Sequence, residues 1–89
     1  MRAPYKTTAI FDEASLPAAL RREHSTKAGV WGIIRVLEGR LALHRADETI
    51  VLTPDRPGLI APEEPHHVEP LGPMRMCVEF YDRPPEHLG

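Results

Sequence analysis

The sequence predicts a single all-β domain, a small β-barrel or jelly roll with one short helical turn near the N-terminus. The chain has 89 residues, which is the length of one small domain. Ten prolines and six glycines interrupt it at short intervals and leave little room for long helices. Apolar and β-branched runs recur about every 8–12 residues with turn residues between them, as in sandwiches and barrels. We expect an ordered barrel over residues 5–83 and a loose tail over residues 84–89.

The N-terminal part is predicted to hold the first strand and the helical turn. Residues 5–11 are rich in β-branched side chains, which favour a strand. Residues 15–22 form the one helical candidate, with Ser15 as its N-cap and Pro17 tolerated in its first turn.

A hairpin is predicted around Gly39. Residues 31–37 and 40–44 have the character of strands and are separated by a Glu-Gly pair. Glycine readily adopts the positive φ that a tight hairpin turn requires. Leu41 and Leu43 alternate with other residues in the second strand, so we expect both leucines to face a core.

Four more strands follow, each bounded by proline, glycine or acidic turn residues. They are predicted over residues 49–53, 59–61, 66–69 and 74–81. Alternation in the last strand gives one face with Met74, Met76, Val78 and Phe80, and another with Arg75, Cys77, Glu79 and Tyr81. Which face lines the interior stays open, although four apolar residues in register favour the first.

Composition argues against several classes of protein. The formal net charge is -2 and no run of Lys or Arg occurs, so we expect no nucleic-acid partner. No long apolar stretch is present, so we expect neither a signal peptide nor a membrane span. Cys77 is the only cysteine, which excludes an internal disulfide and favours a cytoplasmic location.

Five histidines are the main candidates for chemistry, although a single histidine is most often structural or solvated. They are His24, His44, His66, His67 and His87. His66 shares a strand face with an apolar neighbour and His67 with an acidic one, so we expect His66 to point inward. His24 comes from another segment, and it meets His66 only if the sheet closes on itself.

A divalent metal ion, Zn, Ni or Fe, is one candidate ligand. His24 and His66 would each supply an imidazole, with His67 as the alternative to His66. Glu79 would be the third ligand or a general base. If the apolar face of the last strand is the inner one, Glu79 and Arg75 face water instead.

A pocket for a small ligand is the other candidate. Lys27 is placed to attract an anion, and Trp31 either anchors the core or forms a wall of the pocket. Arg75 and Tyr81 are the polar companions of Glu79 on the mixed face of the last strand.

Four segments together resemble the TehB/YeaR-like cupin family. They are HSTKAGVWG at residues 24–32, VLEG at 36–39, PEEPHHVEP at 62–70 and EFY at 79–81. The first and third segments are specific only in combination, and the resemblance extends over residues 5–84. Members of this family occur as small free-standing proteins and as the N-terminal domain of some tellurite-resistance methyltransferases.

The resemblance implies a compact cupin-like barrel with ligands and metals bound inside it. The wider superfamily holds its metal with an H-x-H pair, a Glu and a later His. His24 matches the first of these and His66 the last, whereas Thr26 replaces the second His and Trp31 stands near the position of the Glu. Two of the four ligands therefore remain. An S-adenosylmethionine-binding domain does not fit in 89 residues, so we do not expect this chain to methylate tellurite.

Three functions are consistent with these residues. The first is a non-catalytic domain that binds a metal ion, small ligand or oxyanion, in a stress or metalloid-resistance role. The second is a metal-dependent enzyme of oxygenase or isomerase type, and the third is a structural or interaction module. A core this thin also suggests a homodimer, since Ile33 and Ile34 point to opposite faces of one strand.

Overall fold

The computed structural model describes residues 3–85, which form eight strands and one 3-10 helix. The strands are β1 (Lys6–Thr7), β2 (Phe11–Asp12), β3 (Trp31–Glu38), β4 (Leu41–Arg45), β5 (Glu48–Leu52), β6 (Gly58–Ile60), β7 (His66–Pro70) and β8 (Arg75–Tyr81). The helix is Ala18–Arg21. The predicted all-β fold with one short helical turn is thus confirmed. Residue His87 and most of the predicted tail lie outside the described residues.

The strands form two antiparallel sheets packed face to face. Sheet A has the order β1-β8-β3-β6, with β2 also paired to β8, and sheet B has the order β5-β4-β7. The last strand therefore lies near the middle of sheet A, between the N-terminal strands and β3. None of the helices in residues 3–85 has the length and apolar character needed to cross a membrane.

The hairpin predicted at Gly39 is wrong, because β3 and β4 belong to different sheets. Gly39 has φ of 76° and carries the chain from sheet A to sheet B. A Cβ atom there would collide with the carbonyl oxygen of Pro73, so the crossing needs glycine for space as well as for conformation. The two-residue hairpin lies one strand later, where Ala46 and Asp47 join β4 to β5.

The helical turn also differs from its prediction. It starts after Pro17, and no side chain caps it. Ser15 belongs instead to a turn that precedes the helix: its Oγ accepts the Asp12 N–H at 2.9 Å, and Asp12 Oδ1 accepts the N–H groups of Ala14 and Ser15. A short polar side chain that bonds to nearby backbone favours such a turn over a helix.

The core fills the space between the two sheets. Its fully buried side chains come from both, and include Leu41, Leu43, Leu52, Ile60 and Met76. Met76 and Val78 are opposite Val36 and Ile34 in the register of β3 and β8, so the apolar face of β8 is the inner one. Ile33 lies on the outer face of sheet A, yet it is only 2% exposed within the single chain.

Candidate ligand-binding site

A cavity of about 350 Å³ opens between the two sheets beside the core. Sheet A contributes Ile34, Val78 and Phe80, sheet B contributes Val68, and Leu20 of the helix covers one side. Each sheet presents its apolar face to this space, because alternate side chains of a strand point to the same face, so the wall is mainly hydrocarbon. The volume lies within the range of pockets that hold small molecules in other proteins.

Two histidines from distant segments meet at this cavity. His24 and His66 form an isolated antiparallel bridge, in which the N–H of each donates to the carbonyl of the other at 3.0 and 2.8 Å. The ring centroids lie 4.2 Å apart and the ring planes are inclined by 58°. The predicted convergence of these two residues is what the structure shows, and both line the cavity.

Backbone carbonyls decide which nitrogen of each ring faces the cavity. The Nδ1 of His24 lies 2.9 Å from the Arg22 oxygen, and the Nδ1 of His66 lies 2.8 Å from the Glu64 oxygen. A carbonyl only accepts, so the proton of each neutral ring is at Nδ1 and the Nε2 atom keeps a lone pair. No hydrogen bond joins either Nε2 to another described residue, and no buried polar side-chain atom among those residues lacks a partner. Each Nε2 atom is therefore unbonded within residues 3–85 and is not sealed in the core, and both rings line the cavity.

His66 is held in its neutral form. Burial lowers the pKa of His66 below the usual value of 6.5, and the nearby His24 and Arg45 act in the same direction. The hydrogen bond to the Glu64 carbonyl opposes this shift without cancelling it. At neutral pH the His66 Nε2 therefore carries a lone pair and has no proton to donate.

Two loops hold the histidines in place. The Thr26 hydroxyl donates to the Val30 carbonyl at 2.7 Å, and the Glu63 N–H donates to the Thr26 carbonyl at 3.1 Å. The side chain of Glu64 accepts the Ala61 N–H at 3.3 Å. The Thr26 hydroxyl thus closes its own loop, and the Thr26 carbonyl joins that loop to the one that precedes His66.

Both lysines of the chain line the same cavity. Lys27 follows His24 in the chain, and Lys6 reaches the cavity from β1 because it is opposite Phe80 in β8. Sequence reasoning missed Lys6. Alternation over the first strand indicated only which residues share a face, and the pairing of β1 with β8 was needed to turn that face inward.

Three other predicted site residues lie on the outer face of β8. Glu79 accepts hydrogen bonds from the Arg35 Nε and the Tyr81 hydroxyl, both at 3.1 Å. Arg75 donates to Glu38 at 3.3 Å. These residues alternate with those that line the cavity, so the structure does not bring Glu79 to the histidines. Burial, reinforced by Glu79, raises the pKa of Cys77 beside them.

The remaining two predicted residues also lie away from the cavity. Trp31 is opposite Tyr81 and shares its outer face, whereas its neighbour Gly32 lines the cavity. His67 lies on the outer face of sheet B and stacks on His44, with ring centroids 4.5 Å apart. Within residues 3–85 no group of three His, Cys, Asp or Glu side chains has the arrangement of a metal site.

Comparison with known proteins agrees with this architecture. A family model described as the TehB-like domain matches residues 6–78. Two curated proteins of Haemophilus influenzae, from strains KW20 / Rd and 10810, are 28% and 26% identical to the chain over 93 residues. Each is described as a probable S-adenosyl-L-methionine-dependent methyltransferase TehB. The match covers 96% of the chain but 32% of either relative, so the chain spans about a third of their length.

Two crystal structures share the fold. TehB from Haemophilus influenzae superposes with a TM-score of 0.82 and 26% identity, over 86% of this chain and 30% of that one. A protein from E. coli (strain K12) superposes with a TM-score of 0.79 and 20% identity, over 92% of this chain and 91% of that one. The resemblance predicted from the sequence motifs is confirmed.

Proposed function

The chain belongs to the TehB-like domain family, and from that premise we propose that it is a small-ligand-binding domain whose site is the cavity at His24 and His66. One observation carries the proposal. Both imidazoles line an apolar cavity, contact the backbone through Nδ1, and have Nε2 atoms without a hydrogen-bond partner among the described residues. A site with an apolar wall and a few oriented polar groups is the usual form of a small-molecule site.

The relatives, and the resemblance to a family with tellurite-resistance members, support a biological setting for this binding. The curated relatives are named as probable methyltransferases and are about three times as long as the matched region. We propose that the domain supplies ligand binding to processes in which such proteins act, with metalloid stress as the first to examine.

A divalent metal ion is the second candidate ligand. The open Nε2 lone pairs of His24 and His66 favour it, since neutral imidazole is a common metal ligand. The four-ligand set of the wider superfamily does not fit these residues, because Thr26 stands in place of the second His and Trp31 stands near the position of the Glu. Glu79, the alternative third ligand, lies on the other side of β8. We therefore propose no metal-centred reaction for this domain.

Amide NMR titration of the ¹⁵N-labelled protein tests the binding function. Zinc sulfate, potassium tellurite and small organic acids are titrated separately, after purification without a histidine tag. We expect at least one probe to shift amides around the cavity, including those of His24 and Val68. The His24→Ala/His66→Ala variant should weaken that binding by about tenfold or more, as expected when two oriented polar contacts are lost.

The control is the His44→Ala/His67→Ala variant, which removes the same number of imidazoles from the outer face. It should bind the probe as the unaltered protein does. The proposal is refuted if no probe shifts the cavity amides, or if the two double variants weaken binding equally.

A further inference from the structure

The charge around the cavity is of one sign. The sequence has 13 Asp and Glu against 11 Lys and Arg, yet no acidic residue within 3–85 lines the cavity. Lys6 and Lys27 both line it, and they are the only lysines in the chain. No salt bridge among the described residues involves either of them. The cavity mouth of this acidic protein therefore attracts an anion.

The cavity wall limits what kind of anion fits. A small inorganic oxyanion needs polar partners around its whole surface, because a charge transferred next to hydrocarbon is costly. Ile34, Val68, Val78 and Phe80 offer it none. An anion with an apolar body satisfies both parts of the site, since its charged end stays at the lysines and its body replaces water along the wall.

The histidines add a third requirement. His66 is neutral and carries its proton at Nδ1, so its Nε2 atom is a hydrogen-bond acceptor. A second carboxylate placed there would meet a lone pair. A hydroxyl or N–H group placed there would donate to it.

We propose that the ligand is a small organic monoanion, with its carboxylate at Lys6 and Lys27, its apolar body along the wall, and a hydroxyl or N–H that donates to His66 Nε2. This inference rests on the proposed function and narrows it to one chemical class. It involves binding only and no covalent step.

Calorimetric titration with four related probes tests the class. 4-Hydroxyphenylacetate carries the carboxylate and the donor, phenylacetate lacks the donor, 4-hydroxyphenylacetamide lacks the charge, and tyramine reverses it. We expect the first to bind most tightly, with phenylacetate and the amide each about three- to tenfold weaker, as the loss of one polar contact predicts. Tyramine should bind more weakly than the amide.

Matched variants locate the charge. Lys6→Gln/Lys27→Gln should reduce the affinity for 4-hydroxyphenylacetate about tenfold and leave the affinity for the amide within about twofold. Arg56→Gln removes a positive charge from an exposed turn that does not line the cavity, and should change neither affinity. Folding of each variant is checked by its thermal unfolding curve.

The outcomes separate the two proposals. If the amide or tyramine binds as tightly as the acid, the ligand class is wrong while the cavity remains a binding site. If zinc or tellurite shifts the cavity amides and no organic acid binds, the class is wrong and the binding function stands. If no probe of any class binds, both proposals fail.

Discussion

Two pairs of histidines in this molecule have similar spacing and opposite surroundings. His24 and His66, the inner pair, line the cavity with ring centroids 4.2 Å apart, and each ring is anchored through Nδ1 to a backbone carbonyl. His44 and His67 lie outside, stacked at 4.5 Å. There the His44 ring contacts side chains through both nitrogens, the Thr49 hydroxyl at 3.0 Å and a Glu69 oxygen at 3.1 Å.

The comparison shows that proximity of two imidazoles does not make a site. His66 and His67 are adjacent in β7, and the alternation of the strand sends one to each face of sheet B. The Nε2 atoms of the inner pair have no hydrogen-bond partner among the described residues. Both ring nitrogens of His44, in contrast, are engaged by side chains at the surface. A pair of imidazoles can bind a ligand only if each ring has a nitrogen that is not already engaged by another group of the protein.

Gly39 carries the chain from sheet A to sheet B, so its substitution has the largest expected effect. We expect Gly39→Ala to cost about 3 kcal/mol or more in free energy of unfolding, because φ strain and a clash with Pro73 add together. Gly29→Ala is the control, since Gly29 has a similar φ of 78° and open space around its Cβ position. It should cost about 1 kcal/mol. If urea unfolding gave the same loss of free energy of unfolding for both variants, the clash at Gly39 would contribute nothing, and the prediction would be wrong.

Truncation of adjacent histidines separates the inner pair from the outer pair. His66→Ala removes a buried ring and its hydrogen bond to Glu64, and should cost about 1–3 kcal/mol. His67→Ala should cost within about 0.5 kcal/mol, because the residue is partly exposed. Chemical denaturation of the two variants gives both values, and a larger loss for His67→Ala would contradict the assignment of the two faces.

Acid should weaken the fold through the inner pair. The folded pKa of His66 is below the usual 6.5, so the unfolded chain binds more protons as the pH falls below that value. The free energy of unfolding should therefore decrease as the pH falls from about 6.5 toward the folded pKa of His66. His66→Gln should remove this part of the decrease, whereas Val36→Ala, which lowers stability and keeps His66, should retain it. Urea unfolding at a series of pH values measures the slopes.

The smallest effect is expected at the outer pair. Glu69→Gln removes the carboxylate that contacts His44. The Glu69 side chain is 63% exposed. An exposed pair of this kind contributes at most about 1 kcal/mol, and salt screens it further. A loss of stability well above that value, measured by thermal unfolding, would mean that the contact between His44 and Glu69 stabilises the fold as much as the inner pair does.

Alternation and turn residues predicted the positions of most strands and the inward direction of His66. They did not predict which strands pair. Gly39 has the local signature of a hairpin, and only the distant Pro73 distinguishes its crossing from a turn. The same limit explains Lys6, whose position depends on β8, and Glu79, whose face follows from the packing of Met76 and Val78.

The state of the two inner imidazoles was beyond prediction for another reason. Their orientation depends on the carbonyl groups of Arg22 and Glu64, and any residue supplies such a group. Neither the type nor the spacing of side chains therefore encodes it. A sequence pattern identifies which rings meet, and the backbone around them sets their chemistry.

Because β8 lies in the middle of sheet A, the cavity is complete only after β8 has paired with its neighbours. During synthesis β3 emerges about forty residues before its partner, a separation that makes the pairing of Trp31 with Tyr81 a late event in folding. Lys6 has no inner face to occupy until Phe80 arrives, and the wall formed by Val78 is missing until then. A ligand would therefore meet an incomplete cavity on a nascent chain, and a complete one only on molecules in which β8 is already in place.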